Sequence, residues 1–536
     1  MKKNLLALML IFTAALGGVG ELCGWLLPTI SWPFTASREL SFLSCPAEVC
    51  PLLAADGRVH WFGWLAMALL ALVGVWVLLR RRSSFRLSPV TRRRMRHFRR
   101  LKRGHFAFLL LMGVLCLAAM DQVLVGKRAL VVLSAGGEWH FPAFRRNMLP
   151  GSVFGLKGNA ALAETDYRHL HAMLGKPGGP QFVLMPPIPW DPTTDAAPFP
   201  TEELPSRGGK LYAPPSGAAE AEQLYDGQAC RLYPNGDVHL RIRYRKGVPD
   251  GHVQGWAPDR REVYSATWRQ GKLLSESYEG EGDVAHFLQQ STIAHYLIHY
   301  HPAPPLTGGH LLGTDSRGAD IAALLFGGLQ VTFKAALFYL PVIYGIGLTL
   351  GMLMGYWGGK FDLFTQRFIE IISQLPFLFV VMILTDFVPL DMRGMFVTLV
   401  LLALFGWMPM TYLIRTATMK EKTRDYVAAA RVMGAGPLHI LLRHILPNLT
   451  GIIITLIPFS VAVVVLSLTS LDYLGFGLPE TYASWGRLLN DGLSKLSSPW
   501  IASSAFGALV IMLLLFTFIG EAIREAIDPH SADHYE

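Results

Sequence analysis

Residues 425–449 of the 536-residue chain read DYVAAARVMGAGPLHILLRHILPNL. Ala428, Ala429 and Ala430 favour a helix, and the Gly434-Ala435-Gly436-Pro437 group interrupts whatever helix they begin. An amphipathic run then leads to Ile445, Leu446 and Pro447. The pattern predicts two short helices meeting at a bend. Apolar runs at 395–414 and 449–471 flank the bend, each about long enough to cross a bilayer. The bent pair is therefore expected to be a loop between two membrane helices, facing an aqueous compartment.

Composition agrees. The chain is 51% hydrophobic and 16% charged, with mean hydropathy +0.34, above an average soluble chain. Its formal net charge of +9 is concentrated in part between Arg80 and Arg103, where twelve Arg or Lys and no acid lie between two apolar runs. That is the signature of a short cytoplasmic segment. Nucleic-acid binding is the weaker reading, because no aromatic interleaving or recognition fold accompanies the run. Five cysteines, Cys23, Cys45, Cys50, Cys116 and Cys230, form no CxxC pair and exclude a zinc site by spacing. Cys45 and Cys50 fall in a loop expected outside the cytoplasm, where a disulfide and two thiols are equally compatible with the sequence.

Outward from the loop, apolar spans are expected at 335–356, 368–388 and 501–519, and earlier at 61–79 and 106–125. Met1-Lys2-Lys3 and the apolar run to Gly20 have the shape of a signal peptide, but Leu22 to Leu27 stays apolar and the anchor reading is favoured. The count is about eight spans. Lys360, Arg367, Arg415, Lys420, Lys422 and Arg424 mark the cytoplasmic side, and the 386–393 connection falls outside. About two hundred residues between 126 and 320 also lie outside. Within them 176–218 is Pro- and Gly-rich and reads as loop-like linker. A repeat comes next: Leu232-Tyr233-Pro234-Asn235-Gly236 with Tyr244-Arg245-Lys246-Gly247 recurs 24 residues later as Trp256-Ala257-Pro258-Asp259 with Trp268-Arg269-Gln270-Gly271. Val238, Leu240, Ile242 and Tyr244 alternate as hairpin strands do.

Several residues invite chemistry. Thr314 and Asp315 are read as helix-cap candidates for the span after them. His295, His299, His301 and His310 lack metal-ligand spacing and are read as solvated loop histidines. Glu21, Asp121, Lys334, Glu370 and Asp386 fall within or beside spans, where charge is costly. Snorkelling accounts for most of them, and Glu370 is the candidate pathway residue. Leu471 to Pro479, with Gly475 and Gly477, breaks the helix of the 449–471 span before Ser484-Trp485-Gly486 starts a short element. Non-helical backbone at membrane depth survives only where protein or a water cavity covers it. Gly475, Gly477 and Trp485 are therefore candidates for a gate or pathway lining on the outer side.

Three of these stretches carry a resemblance. Ala428-Ala429-Ala430, Gly434 and Ile445-Leu446-Pro447 stand at the spacing of the coupling loop of permease subunits in binding-protein-dependent ABC importers, with Ala428 in place of that signature's Glu. Leu312-Gly313-Thr314-Asp315 with Gly318 and Asp320 resembles the dipeptide, oligopeptide and nickel branch, as do Leu471-Asp472-Tyr473-Leu474-Gly475-Phe476-Gly477 and Ser484-Trp485-Gly486. With Leu87-Ser88-Pro89-Val90, Glu138-Trp139-His140-Phe141-Pro142, Gly406-Trp407-Met408 and Phe518-Ile519-Gly520-Glu521-Ala522, the chain is most similar to microcin C-type oligopeptide permeases. The repeat at 228–275 resembles MORN-type hairpins.

The resemblance implies an all-α polytopic core of ABC importer type I in the bacterial inner membrane, whereas residues 1–86 and the small β-rich extracytoplasmic insertion read from the repeat at 228–275 depart from the family. It implies a non-enzymatic transport subunit, with ATP and Mg bound by a partner ATPase, a second permease completing the pathway and an external peptide-binding protein. The chain itself has no Gly-x-x-x-x-Gly-Lys-Ser/Thr phosphate cradle. Arg431, Arg443 and His444 are candidate coupling contacts, or a basic face beside lipid headgroups. The expected organisation is an extra helix pair at 1–86, a basic segment and first core helix at 87–125, the external region at 126–320, and a core at 321–536 with its coupling loop at 415–448. A receptor sensing a ligand through the repeat would explain the exterior but not the coupling-loop spacing.

Overall fold

A computed structural model describes residues 2–27, 29–39, 45–46, 58–79, 89–156, 164–174, 179–193, 201–213, 223–233, 237–258, 261–280, 283–290, 293–298, 301–389 and 393–527. Two compact units emerge, one of residues 1–195 with 321–536 and one of 196–320. Cys50, and with it the Cys45–Cys50 pairing, lies outside the described residues.

The first unit is helical. Among its helices are α1 (Lys2–Leu22), α2 (Trp32–Glu39), α3 (Trp61–Leu79), α4 (Pro89–Arg100), α5 (Lys102–Ala119), α6 (Ile321–Trp357), α7 (Gly359–Ser373), α8 (Phe377–Phe387), α9 (Met395–Lys422), α10 (Asp425–Val432), α11 (Pro437–Ile440), α12 (Leu446–Tyr473), α13 (Trp485–Ser494) and α14 (Pro499–Ile527). Among the described residues six helices are long and apolar enough to cross a membrane, or seven if the bent pair α7 and α8 is one span. The apolar part of α1, Ala7–Leu22, is shorter. The span expected at 368–388 is in fact bent by 80° between α7 and α8. Pro376, in extended backbone, is the N-cap of α8, and its ring disfavours helical geometry at Leu375 before it, which keeps α7 from running on into α8.

One helix differs in length from its expected span. α6 starts at Ile321 rather than near 335 and runs 37 residues, so Lys334 lies inside it. Thr314 and Asp315 therefore do not cap it. Asp315 closes its own turn, accepting from the backbone N–H groups of Arg317 (2.9 Å) and Ala319 (2.8 Å). Thr314 Oγ1 accepts from Ala303 N–H (2.8 Å) and meets His301 Nδ1 (2.8 Å). Of the histidines expected to be solvated, His310 is 1% exposed with Nδ1 2.9 Å from Asp320 Oδ2, His295 and His301 are half-buried, and His299 lies outside the described residues.

The core of this unit is a helix seam. Gly347, Gly351 and Gly355 put three bare backbone positions on one face of α6 at four-residue spacing. A Cβ at Gly351 would stand 2.7 Å from the Thr411 carbonyl, and one at Gly355 2.6 Å from the Arg415 carbonyl. The backbones of α6 and α9 approach closely, as small residues every fourth position permit in membranes. Leu399, Ile414, Ile440 and Ile445 are fully buried around the seam.

The N-terminal helices are tied down by charge. Glu21, at the end of α1, is 2% exposed and paired with Arg38 of α2 and with Arg146 (2.8 Å). Arg146 N–H also donates to the Gly24 carbonyl (2.9 Å). Snorkelling does not describe Glu21, whose buried carboxylate is held by two guanidinium groups. A three-stranded antiparallel sheet, in the order β2 (Trp139–His140), β1 (Val131–Leu133), β3 (Phe182–Leu184), sits in the same unit around Val132, Phe154, Tyr167, Leu170 and Val183.

The second unit is a seven-stranded antiparallel sheet. Its strands are β4 (Thr201–Leu204), β5 (Gly227–Leu232), β6 (Val238–Arg245), β7 (Val248–Trp256), β8 (Glu262–Arg269), β9 (Lys272–Tyr278) and β10 (His295–Ile298), in the order β9-β8-β7-β6-β5-β10-β4. The 24-residue repeat is the repeat of this meander. Lys246-Gly247 and Gln270-Gly271 both take positive φ (51° and 74°, 48° and 80°), the two-residue turn that matches strand twist. Two hairpins alone would not bury a core. Here β5, β10, β4 and Phe287 complete one with Leu204, Leu211, Leu240, Ile242, Tyr244, Tyr264 and Ala266. The 176–218 stretch is thus less linker-like than its composition: Val183, Leu204 and Leu211 are core residues.

Candidate functional site

The 425–447 loop begins with α10, whose Ala430 and Val427 face inward (1% and 0% exposed) while Ala428 and Ala429 are exposed. The helix stops at Gly434, which takes φ +82°. Gly434 N–H donates to the Arg431 carbonyl (2.9 Å) and Ala435 N–H to the Ala430 carbonyl (3.0 Å). This is a Schellman turn, in which a left-handed residue lets two carbonyls of the last helical turn find donors. Pro437 then opens α11 at its first position, where a missing N–H costs nothing.

Beyond this point the structure departs from the expected second short helix. α11 does not end at Pro447 but passes through one π turn, Leu441–Ile445, into α12. The Leu446 N–H reaches back to the Leu441 carbonyl, five residues earlier. Pro447 lacks an N–H and its ring crowds the carbonyl four residues before it. Widening the preceding turn absorbs that conflict and leaves the helix continuous. Ile445 is fully buried, Leu446 half-buried and Pro447 exposed, so this end of the motif anchors the loop.

The exposed tip is apolar. Val432, Met433 and Leu438 are 90%, 79% and 66% exposed beside Gly434, Gly436 and Pro437. Sequence reasoning singled out the small residues and missed these three, although apolar side chains flanking a Gly-Pro bend were visible. Arg431 does not reach outward alone: its guanidinium lies 5.4 Å from the Tyr356 ring at the end of α6, and Lys422 lies 5.6 Å from the same ring. Arg443 is exposed and His444 half-buried, its ring 5.7 Å from His439 and 6.5 Å from Tyr426. Burial and the Glu421 carboxylate to which it donates (2.6 Å) push the Tyr426 hydroxyl above its ordinary value.

The second constellation lies just beyond α12. Gly475 takes φ +84°, with Gly475 N–H donating to Asp472 O (3.1 Å) and Phe476 N–H to Leu471 O (3.0 Å). Asp472, which sequence reasoning did not single out, organises the segment from Leu478 to Ser484. Its carboxylate is 4% exposed and accepts from Leu478 N–H (2.6 Å) and Ser484 Oγ–H (2.5 Å). Ser484 Oγ in turn accepts from Arg487 N–H (3.3 Å) as the N-cap of α13. Trp485, 5% exposed, donates its indole N–H to the Leu325 carbonyl of α6 (2.8 Å). Gly475, Gly477 and Trp485 are thus brought together, as a packed segment closed on α6 and α12.

Glu370 stands apart from both. Its carboxylate is satisfied within α7, by Arg367 (2.6 Å) and Gln366 (3.3 Å), which gives it a local role on its own helix surface.

The sequence model of the family described as "Binding-protein-dependent transport system inner membrane component" matches residues 347–532, a stretch holding both constellations. The chain is 38% identical over 231 residues to the inner membrane ABC transporter permease protein YejE of Escherichia coli, covering 43% of this chain and 67% of that one. The chain belongs to this family of transport components. It is 38% identical over 228 residues to the peptidoglycan transport system permease protein YejE of Agrobacterium fabrum, over 42% of this chain and 59% of that one. To the oligopeptide transport system permease protein OppC of Lactococcus lactis it is 33% identical over 249 residues, 46% of this chain and 84% of that one. The inner membrane component is therefore a multi-pass permease subunit of an ABC importer, a transport part rather than an enzyme, and its family implies an ATPase partner.

Proposed function

We propose that this permease moves peptides, microcin C-like compounds or oligopeptides among them, across the inner membrane; the name of its OppC relative supports oligopeptides, and the microcin C-like reading rests on the sequence resemblance. The peptidoglycan named for one relative makes short, carboxylate-bearing peptides a natural test substrate. The observation that carries the coupling part of the reading is the exposed bend at Gly434, where Val432, Met433 and Leu438 present an apolar tip between two long helices. An ATPase subunit binds that tip. Ala428 and Ala429 let its surface come close, and Ile445, Leu446 and Pro447 hold the loop to the helices it moves. Arg431, Arg443 and His444 border the contact.

Gly475, Gly477 and Trp485 form the gate segment on the outer side. ATP and Mg are bound by the partner ATPase. A second related permease, a peptide-binding protein outside and membrane lipid complete the surroundings. In this reading α1 and the bent pair α7–α8 each cross the membrane, giving eight crossings. The 1–86 helices and the extracytoplasmic insertion with its MORN-like hairpins are additions to a core at 87–125 and 321–536.

Co-purification of the full chain in mild detergent tests the proposal. The expected result is recovery of an ATPase subunit and a second permease, with peptide stimulating ATP hydrolysis once a binding protein is added. Recovery of a membrane-inserted chain with neither partner would overturn it.

A further inference from the structure

α9 leads directly into the coupling loop, and its cytoplasmic half is fastened at one residue to two other helices. The Arg415 carbonyl packs against Gly355 of α6, 2.6 Å from where a Cβ would stand. The Arg415 side chain points the other way, to α7. Its Nε donates to Asp362 Oδ1 (2.5 Å) and a terminal nitrogen donates to Asp362 Oδ2 (2.6 Å), a two-pronged pair. Asp362 is held ready for this. It lies in the first turn of α7, which starts from Gly358 and Gly359 at φ +65° and +60°, and its side chain is 7% exposed. One turn back along α9, Tyr412 Oη donates to the Gln366 carbonyl of α7 (3.4 Å). On the other side of Arg415, Lys422 of α9 and Arg431 of the coupling helix α10 both sit over Tyr356, the penultimate residue of α6.

The connection at the far end of the loop is different. There the chain enters α12 through the π turn 441–445, a widened piece of helix that, among the described residues, makes no ion pair with α7.

From this geometry we infer that Asp362 and Arg415 are positioning residues for coupling: their two-pronged ion pair makes α7 follow α9 when the coupling loop is displaced. α7 is the first half of the bent pair, so the pair would be tilted about the 80° break at Pro376. A fork of two parallel hydrogen bonds resists rotation, whereas a point charge such as Lys would keep attraction without fixing angle. The inference rests on the proposed coupling role of the loop, and its test separates the two.

The test uses the assembled importer in proteoliposomes, reading peptide uptake and ATP hydrolysis together, with Asp362→Asn, Arg415→Lys and the exchanged pair Asp362→Arg with Arg415→Asp. The amount of each variant in the membrane and of co-purifying ATPase is measured alongside. Asp362→Asn is expected to lower peptide moved per ATP hydrolysed at least tenfold with ATPase binding unchanged. Arg415→Lys should give an intermediate ratio, and the exchanged pair should recover a third or more of the wild-type ratio. A wild-type ratio in Asp362→Asn would overturn the inference. So would an exchanged pair, inserted at wild-type level, that transports no better than Asp362→Asn. Failure of the wild-type chain to retain an ATPase would instead count against the proposed function.

Discussion

The helix breaks at 433–437 and at 474–486 begin in the same way and end in opposite ways. Gly434 and Gly475 take φ of +82° and +84°, each at the left-handed position of a Schellman turn, and a Cβ at either would meet nothing within 4 Å. Around Gly434 the chain stays open, with Val432 and Met433 before the turn and Leu438 after it exposed. After Gly475 it folds in on Asp472. A Cβ at Gly477 would stand 1.8 Å from Asp472 Oδ1, and one at Gly486 2.2 Å from the Thr469 carbonyl. The shared turn supplies only a change of direction. The residues around the turn decide whether the break offers a surface to a partner or completes the chain's own packing.

The strongest way to break this comparison is to add volume at the closed end. Gly486→Val places carbon against backbone that cannot give, and is expected to destabilise the protein by about 3 kcal/mol or more. Its level in membranes, measured by quantitative immunoblot, should fall severalfold. If the variant accumulated and transported normally, the closed break would not be closed.

Next comes Asp472→Ala, which strands the Leu478 N–H and the Ser484 hydroxyl in a buried site, at a cost of about 1–3 kcal/mol for each unsatisfied group. Asp472→Asn keeps one acceptor oxygen and should lose less. Thermal unfolding in detergent checks the ranking Asp472→Ala below Asp472→Asn below wild type.

A pH step sharpens the comparison, because its largest effect falls on neither break but on the insertion. His239 is fully buried between Tyr233 and Phe287, and burial together with nearby Arg231 holds it down to about 4; His295 is held to about 4 by the same causes. Unfolded, each would titrate near about 6.5. The unfolded state binds more protons between those values, so stability is full above about 6.5 and falls as pH drops towards 4, by up to about 1.4 kcal/mol per pH unit for each histidine. Hydrogen exchange of residues 227–278 at pH 7 and pH 5 should show faster opening at the lower pH, and slower opening would contradict the assignment.

At the open end the effect on stability is smaller. Gly434→Ala meets no atoms and costs about 1–2 kcal/mol for its left-handed backbone alone. Gly434→Trp should insert normally yet abolish the coupling of uptake to ATP hydrolysis. Smallest of all, Glu370→Gln removes an ion pair on the α7 surface and should change stability by about 0.5 kcal/mol or less, with uptake retained.

Much of this was readable from composition and punctuation. The bend at 434–437 is announced by Gly, Gly and Pro, and the meander by alternating Val238, Leu240, Ile242 and Tyr244 between positive-φ turns. The 80° break was not, because 368–388 stays apolar across Pro376 and hydropathy does not register direction. Continuity through Pro447 depends on a π turn, which no residue type specifies. Glu21 looked like a boundary charge because its partner Arg146 is 125 residues away. Asp472 looked like one more polar residue, since its acceptor role needs Leu478 and Ser484 folded back upon it.

The most direct measurement is a photoreactive side chain at Met433, 79% exposed at the open tip, with one at Leu474, 43% exposed beside the closed break, as the reference. In the assembled importer, Met433 should form an adduct with the ATPase subunit and Leu474 none. An importer that transports peptide at the wild-type rate while Met433 gives no ATPase adduct would contradict the account.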